Sequence, residues 1–147
     1  MNFNLTNNKN LILTGGAGLL GSEFGIFLAK QGYNVFIFDK NVNKILQLKK
    51  KLEKLKIKNV FIFKVDITKY HLLKKFYKKI ITRYGDIKVL INNASIDWIP
   101  KKNKEIKIEL NSKNIISEFN VSICGSLNCI QLFLEMNKKR KGIKKKD

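Results

Sequence analysis

Short apolar runs alternate along this chain with longer amphipathic stretches. Asn10-Leu11-Ile12-Leu13-Thr14 is the first run, and it ends in a glycine cluster, Gly15 to Gly21. Its unbroken apolar character predicts a strand covered on both faces. A helical pattern follows, with Leu20, Phe24, Phe27 and Leu28 on one face. Gly32 lies just past its end, where a left-handed cap needs glycine. Val35-Phe36-Ile37-Phe38 predicts a second strand, closed by Asp39. Ile45, Leu48, Leu52 and Leu55 recur every three to four residues among lysines, which predicts an amphipathic helix. Val60 to Phe63 predicts a third strand, and Val65-Asp66-Ile67-Thr68 follows it. Thr68 is the expected N-cap of a third helix, whose apolar face is Leu72, Leu73, Phe76, Ile80 and Tyr84 and which Gly85 ends. Val89-Leu90-Ile91 predicts a fourth strand running into Asn92-Asn93-Ala94-Ser95. Residues 96–112 break the rhythm: with Trp98, Pro100 and several lysines they read as a loop, with a short extended piece at Ile106 to Leu110. A last helix is expected from about Ser112 to Asn137, buried through Ile116, Phe119, Ile123, Leu127, Ile130 and Leu134. Residues 138–147 are nearly all basic and read as a disordered tail.

Strands alternating with helices imply βαβ units, a parallel sheet and right-handed crossovers. The expected class is therefore α/β, a doubly wound layer, in one domain over residues 1–137. The 147 residues are 44% hydrophobic, enough for one buried core. No window approaches the roughly eighteen apolar residues of a membrane helix. Met1 to Asn10 is polar and lacks a signal-peptide core. Cys124 and Cys129 cannot build a disulfide framework; they read as buried, reduced thiols in a cytoplasmic protein. The formal charge of +19 raises nucleic-acid binding as a reading. Only Arg83 and Arg140 among thirty basic residues are arginines, however, and arginine supplies the bidentate contacts of specific recognition. Lysines spread over solvated faces are the simpler account. They leave a weak, salt-sensitive attraction to polyanions and no specific nucleic acid partner.

The glycine cluster carries the first chemistry. Gly15 permits a tight turn, Gly18 lets the backbone approach a pyrophosphate, and Gly21 lets helix and strand pack closely. The following helix start offers free N–H groups and a partial positive charge to phosphates. Asp39 stands eighteen residues after Gly21, at the end of the second strand. A carboxylate there accepts from ribose hydroxyls and repels a 2′-phosphate, so the expected cofactor is NAD rather than NADP. A solvated turn or helix cap is the plain alternative for Asp39, and Lys40 beside it leaves room for a phosphate.

Thr14-Gly-Gly-Ala-Gly-Leu-Leu-Gly21 resembles the TGxxGxxG loop of the short-chain dehydrogenase/reductase family. Three further pieces fall in that family's order. Asp66-Ile67 matches the acidic pair that holds adenine. Asn92-Asn93-Ala94-Ser95 matches NNAG, with Ser in place of the last Gly. Asn120, in Phe119-Asn120-Val121, matches the helix Asn of the active-site tetrad, whose backbone holds a water in the proton relay. The resemblance covers about residues 9–137. It implies an incomplete Rossmann sheet of four strands ordered 3-2-1-4. It also implies cofactor contacts at Thr14, Gly15, Gly18, Leu19, Leu20, Gly21, Asp39, Asp66, Ile67, Asn93 and Ala94. No metal is implied. The loop spacing is common in the sugar-nucleotide branch, whereas NNAS and Asn120 look like the shorter oxidoreductase branch.

The family's carbonyl-polarising Ser and its Tyr-x-x-x-Lys helix follow a fifth strand, beyond the helix that carries the Asn. The four tyrosines here are Tyr33, Tyr70, Tyr77 and Tyr84. Tyr70 has Lys74 four residues on, but in the helix before the fourth strand, the wrong place. His71, beside it, reads as a surface residue. The expectation is thus the cofactor half of an oxidoreductase, cut short near the lysine run 144–146. Its complete form would move a hydride between NAD and a small carbonyl or hydroxyl substrate, a sugar-derived one being an option that the loop spacing leaves open. A non-catalytic dinucleotide-binding or partner-binding module is the second reading, and a lysine-rich nucleic-acid binder the third. In complete members the helix at 112–137 commonly builds a dimer, so a homo-oligomer is expected there.

Overall fold

The computed structural model describes residues 9–96 and 112–140. Four parallel strands form one sheet: β1 (Asn10–Thr14), β2 (Asn34–Asp39), β3 (Val60–Lys64) and β4 (Val89–Ile91), in the order β3-β2-β1-β4. Ile12 stands between Phe36 and Leu90, and Phe36 between Ile12 and Phe61. The alternation of side chains along each strand then divides the core in two. Leu11, Leu13, Val35 and Ile37 pack with α1 (Leu19–Lys30) and α2 (Val42–Lys54) on one face. Ile12, Phe36 and Phe38 pack on the other face with α3 (Tyr70–Tyr84) and α5 (Ser126–Arg140). This is the doubly wound α/β layer expected from the β-α alternation. The second face is aromatic: Phe36 stacks on Phe61 with centroids 5.1 Å apart and meets Tyr84 edge-on at 4.9 Å.

Asparagines tie the strand ends to the connections. The Asn10 amide donates to the Tyr84 carbonyl at 2.6 Å and the Asp86 carbonyl at 3.1 Å. The Asn59 amide donates to the carbonyls of Ala29 and Tyr33, each at 2.7 Å. Gly32 (φ +84°) and Gly85 (φ +87°) end α1 and α3 in conformations that side chains rarely adopt.

Several expectations are corrected. The helix expected over 112–137 is three pieces: α4 (Ser112–Phe119), a π-helical turn at Asn120–Gly125, and α5. α5 runs on to Arg140, into the stretch expected as tail; residues 141–147 lie outside the described part. The buried stripe is also different. Ile116, Phe119, Ile123, Leu127, Ile130 and Leu134 are all exposed, while Val121, Gly125, Cys129 and Leu132 are buried. The same inversion occurs in α1. Leu20, Phe24 and Phe27 face outward, while Gly25, Ile26 and Ala29 are buried on the sheet side and Gly21 against the glycine turn. In both helices small residues fill the closest contacts, against the sheet in α1 and against Ile67 in the π-helical turn. A Cβ at Gly125 would stand 2.6 Å from Ile67 Cγ1, and one at Gly25 would stand 3.2 Å from Ile37 Cδ1.

Thr68 does not cap α3. Lys69 occupies that position without a side-chain cap, and the Thr68 hydroxyl bonds Asp66 instead. Leu55 and Leu72 are exposed, and Tyr77 joins Leu73 and Ile80 in the core. Cys129 is buried as expected, whereas Cys124 is exposed. Burial pushes the Cys129 thiol up to about 12, against the opposing effect of its bond with Tyr77. Trp98, Pro100 and the piece at Ile106–Leu110 lie outside the described residues.

Candidate functional site

The C-terminal ends of β1 and β4 build the centre of the site. Thr14 is fully buried, and its hydroxyl oxygen accepts from the main-chain N–H groups of Asn93 at 3.0 Å and Ala94 at 3.1 Å. The Asn93 amide donates back to the carbonyls of Thr14 at 3.1 Å and Gly15 at 3.2 Å. Strand ends carry unpaired carbonyls, and this exchange satisfies two of them within the turn. Thr14, Gly15, Asn93 and Ala94 are thereby one unit.

The glycines have distinct roles. Gly15 has φ +63°, and its N–H donates to the Phe38 carbonyl at 2.7 Å, so the chain turns sharply off β1. A Cβ there would lie 2.7 Å from Ala94 Cα. Gly21 faces the turn rather than a strand: a Cβ would meet the Gly15 carbonyl and stand 2.8 Å from Asn93 Nδ2. Gly16 was not among the sequence-derived positions, yet a Cβ there would sit 2.7 Å from Ile37 Cγ2. Its only signal was membership of the glycine run. Around Gly18 a Cβ would meet only the Gly15 oxygen, at 3.1 Å. The loop is thus crowded on its inner side and open at Gly18.

Gly18 begins α1 with extended backbone and no side-chain cap, and the first turn holds no acidic residue. The first-turn N–H groups, those of Leu19, Leu20 and Gly21, therefore form an uncapped positive end. Asp39 lies beside it. Its Oδ2 accepts from Ala17 N–H at 3.0 Å and its Oδ1 from Asn41 N–H at 2.9 Å. A carboxylate oxygen accepts two bonds, so each keeps one lone pair for a ligand hydroxyl. Asn41, not Asp39, caps α2, through a 3.0 Å bond from Lys44 N–H.

Asp66 follows β3, one strand beyond Asp39. Its Oδ1 accepts from the Thr68 N–H at 3.0 Å and the Thr68 hydroxyl at 2.8 Å. Burial raises its pKa, but the Thr68 bonds and the charges of Lys40 and Lys69 together outweigh that and leave it below the ordinary aspartate value. A carboxylate with a lowered pKa stabilises the fold at neutral pH, and the contribution is lost as pH falls through its folded pKa. Asp66→Asn should therefore lower the urea midpoint at pH 7 and flatten its fall between pH 5 and pH 2. Parallel midpoint curves for the two proteins would refute this.

Ile67 rests on Gly125 of the π-helical turn, and Asn128 donates to the Ile67 carbonyl at 3.1 Å. These contacts, which no sequence pattern announced, tie the Asp66-Ile67 segment to the element that begins with Asn120. Asn120 itself is exposed, at the first position of that turn. π-turns inside helices are frequent at functional sites. His71 is exposed, edge-on to the Tyr70 ring at 5.9 Å, as expected for a surface residue. The Tyr70 hydroxyl donates to the Glu135 carboxylate at 3.3 Å, on α3 rather than near the glycine loop. Among the described residues no group of three His, Cys, Asp or Glu side chains could hold a metal. No helix among them is long and apolar enough to cross a membrane.

Comparison with known proteins gives a consistent picture. A family model described as short chain dehydrogenase matches residues 9–143. The diacetyl reductase [(S)-acetoin forming] of Staphylococcus epidermidis is 28% identical over 124 residues, which are 84% of this chain and 46% of that one. A solved short chain dehydrogenase from Bacillus anthracis superposes with a TM-score of 0.74 at 23% identity, over 90% of this chain and 53% of its own. A putative D-mannonate oxidoreductase from Haemophilus influenza, solved with bound NAD, superposes with a TM-score of 0.69 at 24% identity, over 87% and 50%. The structural likenesses show a shared fold. The chain spans about half the length of the relatives it matches.

Proposed function

The chain belongs to the short chain dehydrogenase family, and from that membership we propose that it binds a nicotinamide dinucleotide, NAD in preference to NADP. The observation that carries this reading is the Asp39 carboxylate held against the glycine loop by Ala17 N–H, beside an uncapped helix start. In this reading the main chain of Thr14, Gly15, Gly18, Leu19, Leu20 and Gly21 receives the pyrophosphate. The remaining lone pairs of Asp39 receive the ribose hydroxyls. Asp66 and Ile67 receive adenine, while Asn93 and Ala94 form the floor. The donor set fits the group: N–H groups for phosphate, an ionised carboxylate for hydroxyls.

When bound, the dinucleotide supplies a hydride donor or acceptor. The residues described here orient it, keep its phosphates on the α1 end and leave the proton chemistry elsewhere. In this reading the backbone of Asn120, exposed at the start of the π-helical turn, would hold a water for a proton relay, as the resemblance implies. The carbonyl-polarising Ser and the Tyr-x-x-x-Lys helix that would follow Asn120 in the family are absent from these 147 residues. In this reading these residues supply the dinucleotide site of a cytoplasmic oxidoreductase that acts on a small carbonyl or hydroxyl compound. The exposed stripe Ile116, Phe119, Ile123, Leu127 and Ile130 suits association with a second copy.

Asp39→Asn tests the cofactor assignment. It replaces charge-assisted bonds to ribose by neutral ones and removes the repulsion of a 2′-phosphate. NADH affinity should fall about tenfold, since such bonds differ by roughly 1 kcal/mol or more, while NADPH affinity holds or rises. An equal loss for both cofactors, measured by fluorescence titration, would overturn the assignment.

A further inference from the structure

At the end of the sheet away from the glycine loop's β4 partner, β3 is an edge strand. Val35 N–H donates to the Asn59 carbonyl and Val65 N–H to the Asp39 carbonyl, each at 2.9 Å. Backbone groups of a strand alternate in direction, so Phe61 and Phe63 face β2 and those of Val60, Ile62 and Lys64 point outward. Beside this edge runs a groove of about 340 Å³ between β3 and α3, walled by Phe61, Phe63, Tyr84, Lys79 and Arg83.

The floor of the groove is rigid and apolar. The Phe61 ring lies 4.8 Å from Tyr84 and 5.1 Å from Phe36, and Phe63 lies 5.2 Å from Phe76. Its rim is cationic. Lys79 and Arg83 are exposed on α3, with the Arg83 guanidinium 5.4 Å from the Tyr84 ring centre. From Lys54 to Arg83 the sequence holds ten lysines and arginines and a single acid, Asp66, whereas the whole chain holds thirty against eleven. Lys79 and Arg83 bring this charge to the groove itself.

We propose that the outer edge of β3 is a docking site for an extended acidic peptide segment, added to the sheet as a further strand. Main-chain pairing with Val60, Ile62 and Lys64 supplies affinity, and alternate acidic side chains meet Lys79 and Arg83. A second copy of the same edge brings like charge to like charge and is disfavoured. A nucleic acid has no backbone that can pair with strand groups, and the Phe61 and Phe63 rings are committed to the core rather than free for base stacking.

The test is fluorescence anisotropy at 150 mM salt with the 147-residue chain and three labelled nonapeptides. One alternates Glu and Val, one alternates Lys and Val, and one carries the same acidic residues with Pro in place of each Val. The Glu-Val peptide is expected to bind at least about tenfold tighter than either control. Lys79→Glu with Arg83→Glu should reverse the preference toward the Lys-Val peptide. Ile62→Pro removes one outward N–H without touching the β2 ladder and should weaken the Glu-Val peptide alone. If that variant fails to fold, the double charge reversal, on exposed positions, still decides. Equal binding of the Pro-containing acidic peptide, or no effect of charge reversal, would overturn the proposal and leave only unspecific attraction of polyanions.

Discussion

Gly15→Val is expected to abolish dinucleotide binding and to cost roughly 2–6 kcal/mol of stability. Two independent effects add. The residue sits at φ +63°, where a β-branched side chain is strained by about 1–3 kcal/mol. Its Cβ would also fall 2.7 Å from Ala94 Cα, a backbone atom that cannot rotate away. Crowding of this kind costs about 1–3 kcal/mol more. The only relief is for the turn to lift off the Asn93-Ala94 segment, which breaks the hydrogen bonds that the Asn93 side-chain amide donates to the Thr14 and Gly15 carbonyls. That displacement moves the α1 start and the Ala17 N–H that holds Asp39, so affinity for NADH should fall by about a hundredfold or more. Urea unfolding and fluorescence titration of the same preparation separate the two losses. Wild-type affinity in a destabilised protein would show that the loop is a packing element alone.

Phe36→Ala is expected to cost about 3–5 kcal/mol of stability. Phe36 is fully buried in a central strand between β1 and β3. Its ring contacts Phe61, Phe63 and Tyr84, so truncation opens a cavity and removes three aromatic contacts together. Aromatic pairs add about 0.5–1.5 kcal/mol beyond burial. A globular domain has only about 5–15 kcal/mol in all, so the variant should lose most of its margin. Phe76→Ala, at a half-buried site on the rim of the same cluster, should cost distinctly less. Equal losses in chemical denaturation would mean that the core is not centred where the ring contacts put it.

The strands were legible because continuous apolar runs of β-branched and aromatic residues have few other uses. The sheet order and Asn93 came with the family resemblance. The turn at Gly15 was legible because positive φ restricts residue type, and Asp39 because an acid closing a buried strand has few other uses. The helix faces were misread in α1 and along α4–α5. There the largest apolar residues, such as Phe27 at 60% exposure and Phe119 at 58%, point outward. The buried faces are Gly21, Gly25 and Ala29 in one helix and Val121, Gly125 and Cys129 in the other. A helix that packs closely on its neighbours selects small side chains, and a periodicity weighted by size then marks the opposite face. The π-helical turn at Asn120–Gly125 also escaped notice, because one extra residue per turn leaves no signature in an apolar pattern. Ala17 acts through its main-chain N–H, Asn128 through a bond to a carbonyl and Gly16 through close contact with Ile37, none of which residue type alone reveals.

Direct mapping of NADH onto the backbone amides is the measurement closest to the central claim. In a titration of the nitrogen-15-labelled 147-residue chain, the largest shifts should fall on Ala17 to Gly21, Asp39, Asp66 to Ile67, and Asn93 to Ala94. They should saturate at one equivalent and persist at 300 mM salt. Shifts confined to the lysine-rich surface of α3 and vanishing with salt, or no saturable shift at all, would contradict the assignment of a dinucleotide site to this fold.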